Sequence, residues 1–227
     1  MKRVIVICGH YGSGKTETAV SLAMALAKTP ARKWPLLSLV DLDVANPYFR
    51  SREKREMLEN AGITVHADTF GGMQAAELPA LTASLRGPLE NPDCQVIIDL
   101  GGNDAGARVL RQFQKYFEGD EHELWAVVNF RRYETRDTAS AREHVLSIER
   151  ELSMQVTGLV NNTHLLRETV PEIILEGHEK ALALSRQMEK PLLFTTYPAG
   201  ILQPEDVEGI APLLPLGLYM RPAYLDK

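Results

Sequence analysis

The fold of this 227-residue chain is decided by one stretch near its start, Gly9-His10-Tyr11-Gly12-Ser13-Gly14-Lys15-Thr16. The stretch fits the pattern G-x-x-x-x-G-K-[ST], in which glycines let backbone N–H groups turn inward around phosphate oxygens. An apolar run from Val4 to Cys8 precedes it, and an Ala- and Leu-rich helical pattern from Lys15 to Lys28 follows it. A strand before the loop and a helix after it are the context that the pattern requires. The sequence therefore predicts a phosphate loop between the first strand and the first helix.

Within this loop we expect Lys15 to contact the β- and γ-phosphates of a nucleoside triphosphate and the Thr16 hydroxyl to coordinate Mg²⁺. The N-terminus of the following helix adds the positive end of a helix dipole. The alternative is a glycine-rich turn that binds nothing, and the strand and helix on either side argue against it. The predicted nucleotide-binding residues in this part of the chain are Gly9, His10, Tyr11, Gly12, Ser13, Gly14, Lys15, Thr16 and Thr18.

Apolar runs alternate with helical patterns along the rest of the chain. The further predicted strands span residues 35–40, 63–66, 95–100, 124–130, 156–161 and 191–195. The further predicted helices span residues 51–61, 74–86, 105–117, 136–152 and 169–190, and residues 87–93 are predicted to form a turn. A capping box, Thr169 with Glu172, is predicted to open the last helix. The Pro- and Leu-rich tail receives no assignment.

The apolar runs are continuous, which is typical of parallel strands covered on both faces. Strands that alternate with helices favour an α/β fold, with a mostly parallel twisted sheet between two layers of helices. The length suits a single nucleotide-binding domain over residues 1–227. Because ligands of such sheets bind beyond the carboxyl ends of the strands, the loops there are the expected site.

Carboxylates follow two of the buried strands, Asp41 and Asp43 after one and Asp99 after another. A Mg²⁺–phosphate site requires such oxygen ligands. We expect Asp99 to hold Mg²⁺ through a water, Asp41 to assist at the metal and Asp43 to orient the attacking water. Gly102 completes a D-x-x-G pattern, and its backbone N–H is expected to sense the γ-phosphate. The alternative for each aspartate is a helix N-cap or a turn former.

The bulk composition restricts the class of protein. The net charge of −5 and pI near 5.7 do not predict a nucleic-acid partner. The two cysteines form no C-x-x-C pair and favour a cytoplasmic location. No apolar run approaches the roughly 20 residues of a membrane span, and the tail lacks the basic face of a membrane anchor.

Together the three motifs resemble the MinD/ParA (CobQ/CobB-type) branch of SIMIBI-class P-loop NTPases, from Val4 to about Pro198. The resemblance implies an ATPase with switch I at residues 40–43 and switch II beginning at Asp99. It implies that Asn161 binds the adenine and that the loop at Tyr197 and Pro198 flanks it. It also implies a homodimer or another protein partner.

The chain departs from the family signature where a lysine reaches across a dimer to the partner's phosphates. His10 occupies that position, and Tyr11 replaces the first of two paired glycines. A protonated His10 substituting for the lysine, a mechanism without the cross-dimer contact, and a structural role for His10 stay open. The chain has no paired cysteines, which disfavours an iron–sulfur carrier. Residues 161–164 lack the Lys and Asp of a guanine-binding N-K-x-D motif, which favours ATP over GTP.

The leading functional hypothesis is a Mg²⁺-dependent ATPase that acts as a conformational switch. The first alternative is a small-molecule kinase or an ATP-dependent ligase on the same fold. The second is a partner subunit that senses ATP without turning it over. Arg131 and Arg132 are interpreted as a solvated basic pair near Glu134, and contact with a substrate or nucleotide is the other interpretation.

Overall fold

The computed structural model describes residues 1–42, 54–66, 85–101, 107, 110–117, 119 and 121–220. The strands are β1 Val4–Gly9, β2 Leu36–Asp41, β3 Thr64–His66, β4 Cys94–Asp99, β5 His122–Val128, β6 Gly158–Asn161, β7 Leu192–Pro198 and β8 Leu213–Leu216. The longer helices are α1 Lys15–Ala27, α2 Arg55–Asn60, α3 Thr138–Leu152 and α4 Pro171–Met188. Residues 85–90 and 110–112 are also helical.

All eight strands form one sheet in the order β3-β2-β4-β1-β5-β6-β7-β8, and every neighbouring pair is parallel. After β1 the chain builds one half of the sheet, with β2, β3 and β4, and then crosses β1 to build the other half. The connections therefore diverge on the two sides of β1. In open α/β sheets this reversal leaves a crevice at the carboxyl ends of the strands, and the loop after β1 lies there.

Apolar clusters cover both faces of the sheet, as the continuous apolar runs predict. Val4, Val6 and Cys8 of β1 pack in one cluster with residues of α3 and α4. Ile5 and Ile7 pack in the other cluster with residues of α1. Because successive side chains of a strand point to opposite faces, β1 is buried on both sides. This arrangement confirms the predicted fold, a parallel sheet between two layers of helices.

The predicted turn at residues 87–93 is wrong in its first half, because residues 85–90 are helical. Leu85 and Leu89, one helical turn apart, are both buried in the core. Their burial outweighs the turn signal of Gly87 and Pro88. Most of the helix predicted at residues 74–86 lies outside the described residues, as do Asp43, Gly102 and residues 51–53.

The predicted capping box of the last helix is also wrong. The N-cap of α4 is Val170, which has no side-chain oxygen. The Thr169 hydroxyl instead accepts from the Leu165 N–H at 2.9 Å and donates to the Leu166 carbonyl at 2.5 Å. The hydroxyl therefore closes the preceding turn and leaves Pro171 to begin the helix.

The C-terminal tail, unassigned in the sequence, forms β8 and then crosses α1. The carboxylate of Glu17, in the first turn of α1, accepts from the backbone N–H groups of Tyr219 at 3.0 Å and Met220 at 2.8 Å. The Ser21 hydroxyl donates to the same carboxylate and accepts from the Gly217 N–H. Burial raises the pKa of the Glu17 carboxyl. The tail is thus tied to the helix that begins at the phosphate loop.

No helix in the described ranges is both long enough and apolar enough to cross a membrane.

We expect Glu17→Ala to destabilise the fold by about 1–3 kcal/mol, because two backbone N–H groups lose their acceptor. Urea unfolding followed by circular dichroism measures the change. Glu172→Ala is the matched control, since Glu172 also lies in a first helical turn but is exposed. Equal losses in the two variants would contradict the role of Glu17.

Candidate functional site

The loop after β1 has a backbone that only glycine adopts readily at three positions. Gly9, Gly12 and Gly14 have φ angles of 150°, 73° and 87°. A Cβ on Gly9 would collide with the carbonyl oxygen of Val127, and a Cβ on Gly14 would collide with the amide of Asn162. Glycine is therefore required both by the turn itself and by the close approach of β5 and of the loop after β6. The loop leads directly into α1, whose N-cap is Gly14.

Polar groups inside the loop fit a phosphate chain. The Lys15 side chain is 6% exposed, and its Nζ donates to the His10 carbonyl at 3.0 Å. The Ser13 hydroxyl is buried and hydrogen-bonds to none of the described residues. An ammonium and a spare donor beside a helix N-terminus are the groups that bind phosphate. The Thr18 hydroxyl instead donates to the Gly14 carbonyl at 2.9 Å and tightens the first turn of α1.

The structure brings two of the predicted carboxylates to the same edge of the sheet. Asp41 and Asp99 end the neighbouring strands β2 and β4 and are paired in register. Asp99 also lies beside Ile7 of β1, and both carboxylates are buried. The described residues form no cluster of three acidic, His or Cys ligands. Mg²⁺ commonly takes one or two carboxylates together with substrate phosphates, so the buried pair of Asp41 and Asp99 fits that ion.

The two asparagines at the end of β6 have different environments. The Asn161 oxygen accepts from the Thr163 hydroxyl at 2.6 Å, and its nitrogen donates to the Thr195 hydroxyl at 3.4 Å. The Asn162 nitrogen donates to the Ser13 carbonyl at 2.6 Å, and its oxygen accepts from the Thr196 hydroxyl at 2.5 Å. Asn162 thus joins the loop after β6 to the phosphate loop.

Sequence reasoning missed Asn162, although a signal was present. Neighbouring residues at a strand end point to opposite faces of the sheet, so two consecutive asparagines serve two different environments. The prediction that Asn161 binds the base stays a prediction, and its side chain is 1% exposed.

Tyr197 and Pro198 lie at the end of β7, three strands from the phosphate loop, about 14 Å at the usual strand spacing. The Tyr197 ring packs with the apolar side chains of Ile174, Leu202, Val207 and Ile210. The Pro198 carbonyl accepts backbone N–H groups from the turn that follows β7. Their predicted contact with the base stays a prediction.

Two side chains from later in the sequence, His144 and Arg132, contact the phosphate loop. The ring of His10 meets the ring of His144, on α3, edge to face at 5.0 Å between centroids. The His10 Nδ1 lies 2.7 Å from the Tyr11 carbonyl oxygen. Arg132 Nε donates to the Gly12 carbonyl at 2.9 Å. Arg131 and Arg132 are both exposed, as the interpretation of a solvated pair near Glu134 expects, but Arg132 also contacts the phosphate loop.

We expect Asn162→Ala to weaken nucleotide binding and to lower the free energy of unfolding by about 1–3 kcal/mol, because two buried partners lose their hydrogen bonds. Thr196→Val is the control: it removes the hydroxyl that holds the amide but leaves the amide bonded to the Ser13 carbonyl. Thermal melts and a fluorescent-nucleotide titration measure both quantities. If both variants lower the nucleotide affinity equally, the hydrogen bond from Asn162 to the Ser13 carbonyl is not what positions the loop for the nucleotide.

Two half-buried histidines predict that acid destabilises the fold. Burial and the neighbouring His10 and Lys15 lower the pKa of His144 to about 4. Burial and Arg132 lower the pKa of His164 to about 4. A histidine with a depressed folded pKa contributes stability above its unfolded pKa of 6.5, and that contribution is lost as the pH falls toward 4.

We therefore expect the free energy of unfolding to fall between pH 6.5 and pH 4, and His164→Asn to make this fall less steep. Urea unfolding at several pH values measures the slope, and NMR titration of the ring protons measures each pKa. Ring titration of both histidines at their ordinary pKa would contradict the expectation.

Comparison with known proteins gives evidence about the fold. No protein-family model matches the sequence, and no curated protein matches it. The cell division protein FtsY of Thermotoga maritima is similar over 91% of this chain and 67% of its own, with a TM-score of 0.54 and 21% identity. The signal recognition particle receptor FtsY of Elizabethkingia anophelis, in complex with GDP, is similar over 88% of this chain and 58% of its own, with a TM-score of 0.56 and 19% identity.

This chain thus spans 58–67% of the length of these two neighbours. At such identities the likeness concerns the fold, and the assignment to the MinD/ParA branch stays a prediction. The parallel sheet, the loop after its central strand and these similar structures agree: the chain has the α/β fold of P-loop NTPases.

Proposed function

We propose that this protein binds a nucleoside triphosphate with Mg²⁺ and hydrolyses it as a conformational switch, with ATP as the nucleotide. One observation supports this most strongly. A loop with three glycines at positive φ and a buried lysine lies beside two buried aspartates, which end neighbouring strands. Cations and loop N–H groups for phosphate, next to carboxylates for a metal, are the combination that phosphoryl transfer uses.

In the proposed reaction the loop residues bind the phosphates. Lys15 exchanges its bond to the His10 carbonyl for the β- and γ-phosphates, and the loop N–H groups bind the remaining oxygens. Negative charge on the transferring phosphoryl is stabilised by these fixed donors. Little covalent chemistry is required of the protein, so positioning and charge account for most of the rate.

Thr16, Asp41 and Asp99 are the residues proposed to hold Mg²⁺, which neutralises phosphate charge when bound. Asp43 is proposed to orient the attacking water, and the Gly102 N–H to sense the γ-phosphate. Both residues lie outside the described part of the chain. Asn161, Tyr197 and Pro198 are the proposed contacts of the base.

GTP is the second candidate nucleotide. The structure of the Elizabethkingia anophelis FtsY, which resembles this chain in fold, is a complex with GDP. ATP remains the first choice because residues 161–164, Asn-Asn-Thr-His, offer no carboxylate to pair with guanine. The switch is proposed to act in the cytoplasm, through a homodimer or another protein partner. Transfer of the γ-phosphate to a small molecule, and ATP sensing without turnover, are the alternatives.

Phosphate release from ATP and from GTP, with Mg²⁺, tests the proposal on the wild type and on Lys15→Ala. We expect turnover of ATP and a loss of about 100-fold or more in Lys15→Ala, because a fixed donor to the phosphoryl group is removed. Lys28→Ala is the matched control, since Lys28 is an exposed lysine at the other end of the same helix.

The outcomes separate the candidates. Turnover of GTP without turnover of ATP would identify GTP, and not ATP, as the nucleotide. Tight binding of ATP that depends on Lys15, without turnover, would reject the hydrolase and favour the kinase or the sensor. Binding of neither nucleotide would reject the proposal.

A further inference from the structure

The turn after β5 holds Arg132 at the edge of the phosphate loop. The Asn129 side-chain oxygen accepts from the Arg131 N–H at 2.9 Å, and the Asn129 carbonyl accepts from the Arg132 N–H at 3.1 Å and from the Thr135 hydroxyl at 2.6 Å. Asn129 and Thr135 are both buried. Because the turn is fixed by buried hydrogen bonds, the Arg132 backbone has a defined position before any ligand binds.

Two neighbouring arginines of this turn have different environments. Arg131 forms an ion pair with Glu176 at 2.6 Å, and Glu176 also pairs with Lys180. Among the residues that the structure describes, no carboxylate lies within 4.0 Å of the Arg132 guanidinium. Arg131 therefore already has an anionic partner, which it shares with Lys180, whereas Arg132 has none in this part of the chain.

The Arg132 guanidinium lies against the backbone of the phosphate loop. Its Nε donates to the Gly12 carbonyl at 2.9 Å, and its Cζ lies 3.6 Å from where a Cβ of Gly12 would be. The described residues offer its two Nη groups no hydrogen bond. A guanidinium has five N–H donors in a planar fork, so most of its donors remain for a second partner.

A second cation, Lys15, belongs to the same loop as Gly12, and the Arg132 charge helps to lower the pKa of the half-buried His164. Because no described carboxylate pairs with the Arg132 guanidinium, its charge favours the binding of a negatively charged ligand beside the loop. An anion here would be bound by the loop glycines, Lys15 and Arg132 together.

We propose that Arg132 is a second cation for the phosphate chain, supplied by the same chain that supplies the phosphate loop. Its Nε keeps the bond to the Gly12 carbonyl, and its Nη groups donate to phosphate oxygens of the bound nucleoside triphosphate. This inference rests on the proposed function, since it requires a nucleotide in the phosphate loop. It requires no residue from a second copy of the protein.

Four variants test the proposal: Arg132→Ala, Arg132→Lys, Arg132→Gln and Arg131→Ala. We expect Arg132→Ala to lower the affinity for the Mg²⁺–triphosphate complex and its kcat/KM by about tenfold or more, since hydrogen bonds to a charged phosphate are lost. Arg131→Ala, the matched control, should stay within about twofold of the wild type. Fluorescent-nucleotide titration and phosphate release measure the two effects, and thermal melts confirm that each variant is folded.

The two conservative variants distinguish the effect of the Arg132 charge from the effect of its hydrogen bond to the Gly12 carbonyl. Lysine keeps the charge at position 132, whereas glutamine keeps an uncharged N–H donor for the Gly12 carbonyl. Higher triphosphate affinity in Arg132→Lys than in Arg132→Gln supports the proposal, and the reverse order overturns it. Wild-type affinity in Arg132→Ala, with affinity lost in Lys15→Ala, overturns this inference and leaves the proposed function intact. A wild type that binds neither ATP nor GTP overturns both.

Discussion

The Asn162 side chain donates to the Ser13 carbonyl at 2.6 Å while Gly14 passes so close to that amide that no Cβ fits between them. This contact joins the loops after β1 and β6, and the rest of the site depends on it. A loop with three glycines has many accessible conformations, and fixing each residue costs about 1–2 kcal/mol. Hydrogen bonds from buried partners offset part of that cost, so the loop N–H groups can be positioned before a ligand arrives.

Much of the fold could be predicted from the sequence because its strands are buried on both faces. Runs such as Val4 to Cys8 are apolar throughout, and only a strand covered on both sides requires that composition. The tail could not be predicted, because β8 holds Pro215 and depends on its pairing with β7, and because the residues after β8 are bonded to Glu17, 202 positions before Tyr219. The helix predicted to end at residue 86 continues to residue 90, and this extension was missed because its burial depends on tertiary contacts that a local turn signal does not contain.

The course of the phosphate loop, from β1 into α1, could be predicted because its pattern is local, with strand, glycines, lysine and helix in succession. The side chains that surround it come from elsewhere. Asn162 and Arg132 contact the loop across 149 and 120 positions of sequence. No local pattern distinguishes Arg132 from Arg131, and only the position of Glu176 on α4 does so. The sequence thus predicts the loop groups that we propose bind phosphate, but not the distant side chains that contact this loop.

The sheet order has a consequence for how copies of this chain meet in solution. One edge strand, β8, is four residues long and contains Pro215, which has no N–H to donate. Short strands and prolines at sheet edges discourage the addition of a further strand from another molecule. The described part of the β8 edge is therefore a poor template for pairing between copies, and contacts between copies at that edge should use side chains rather than a continuous sheet.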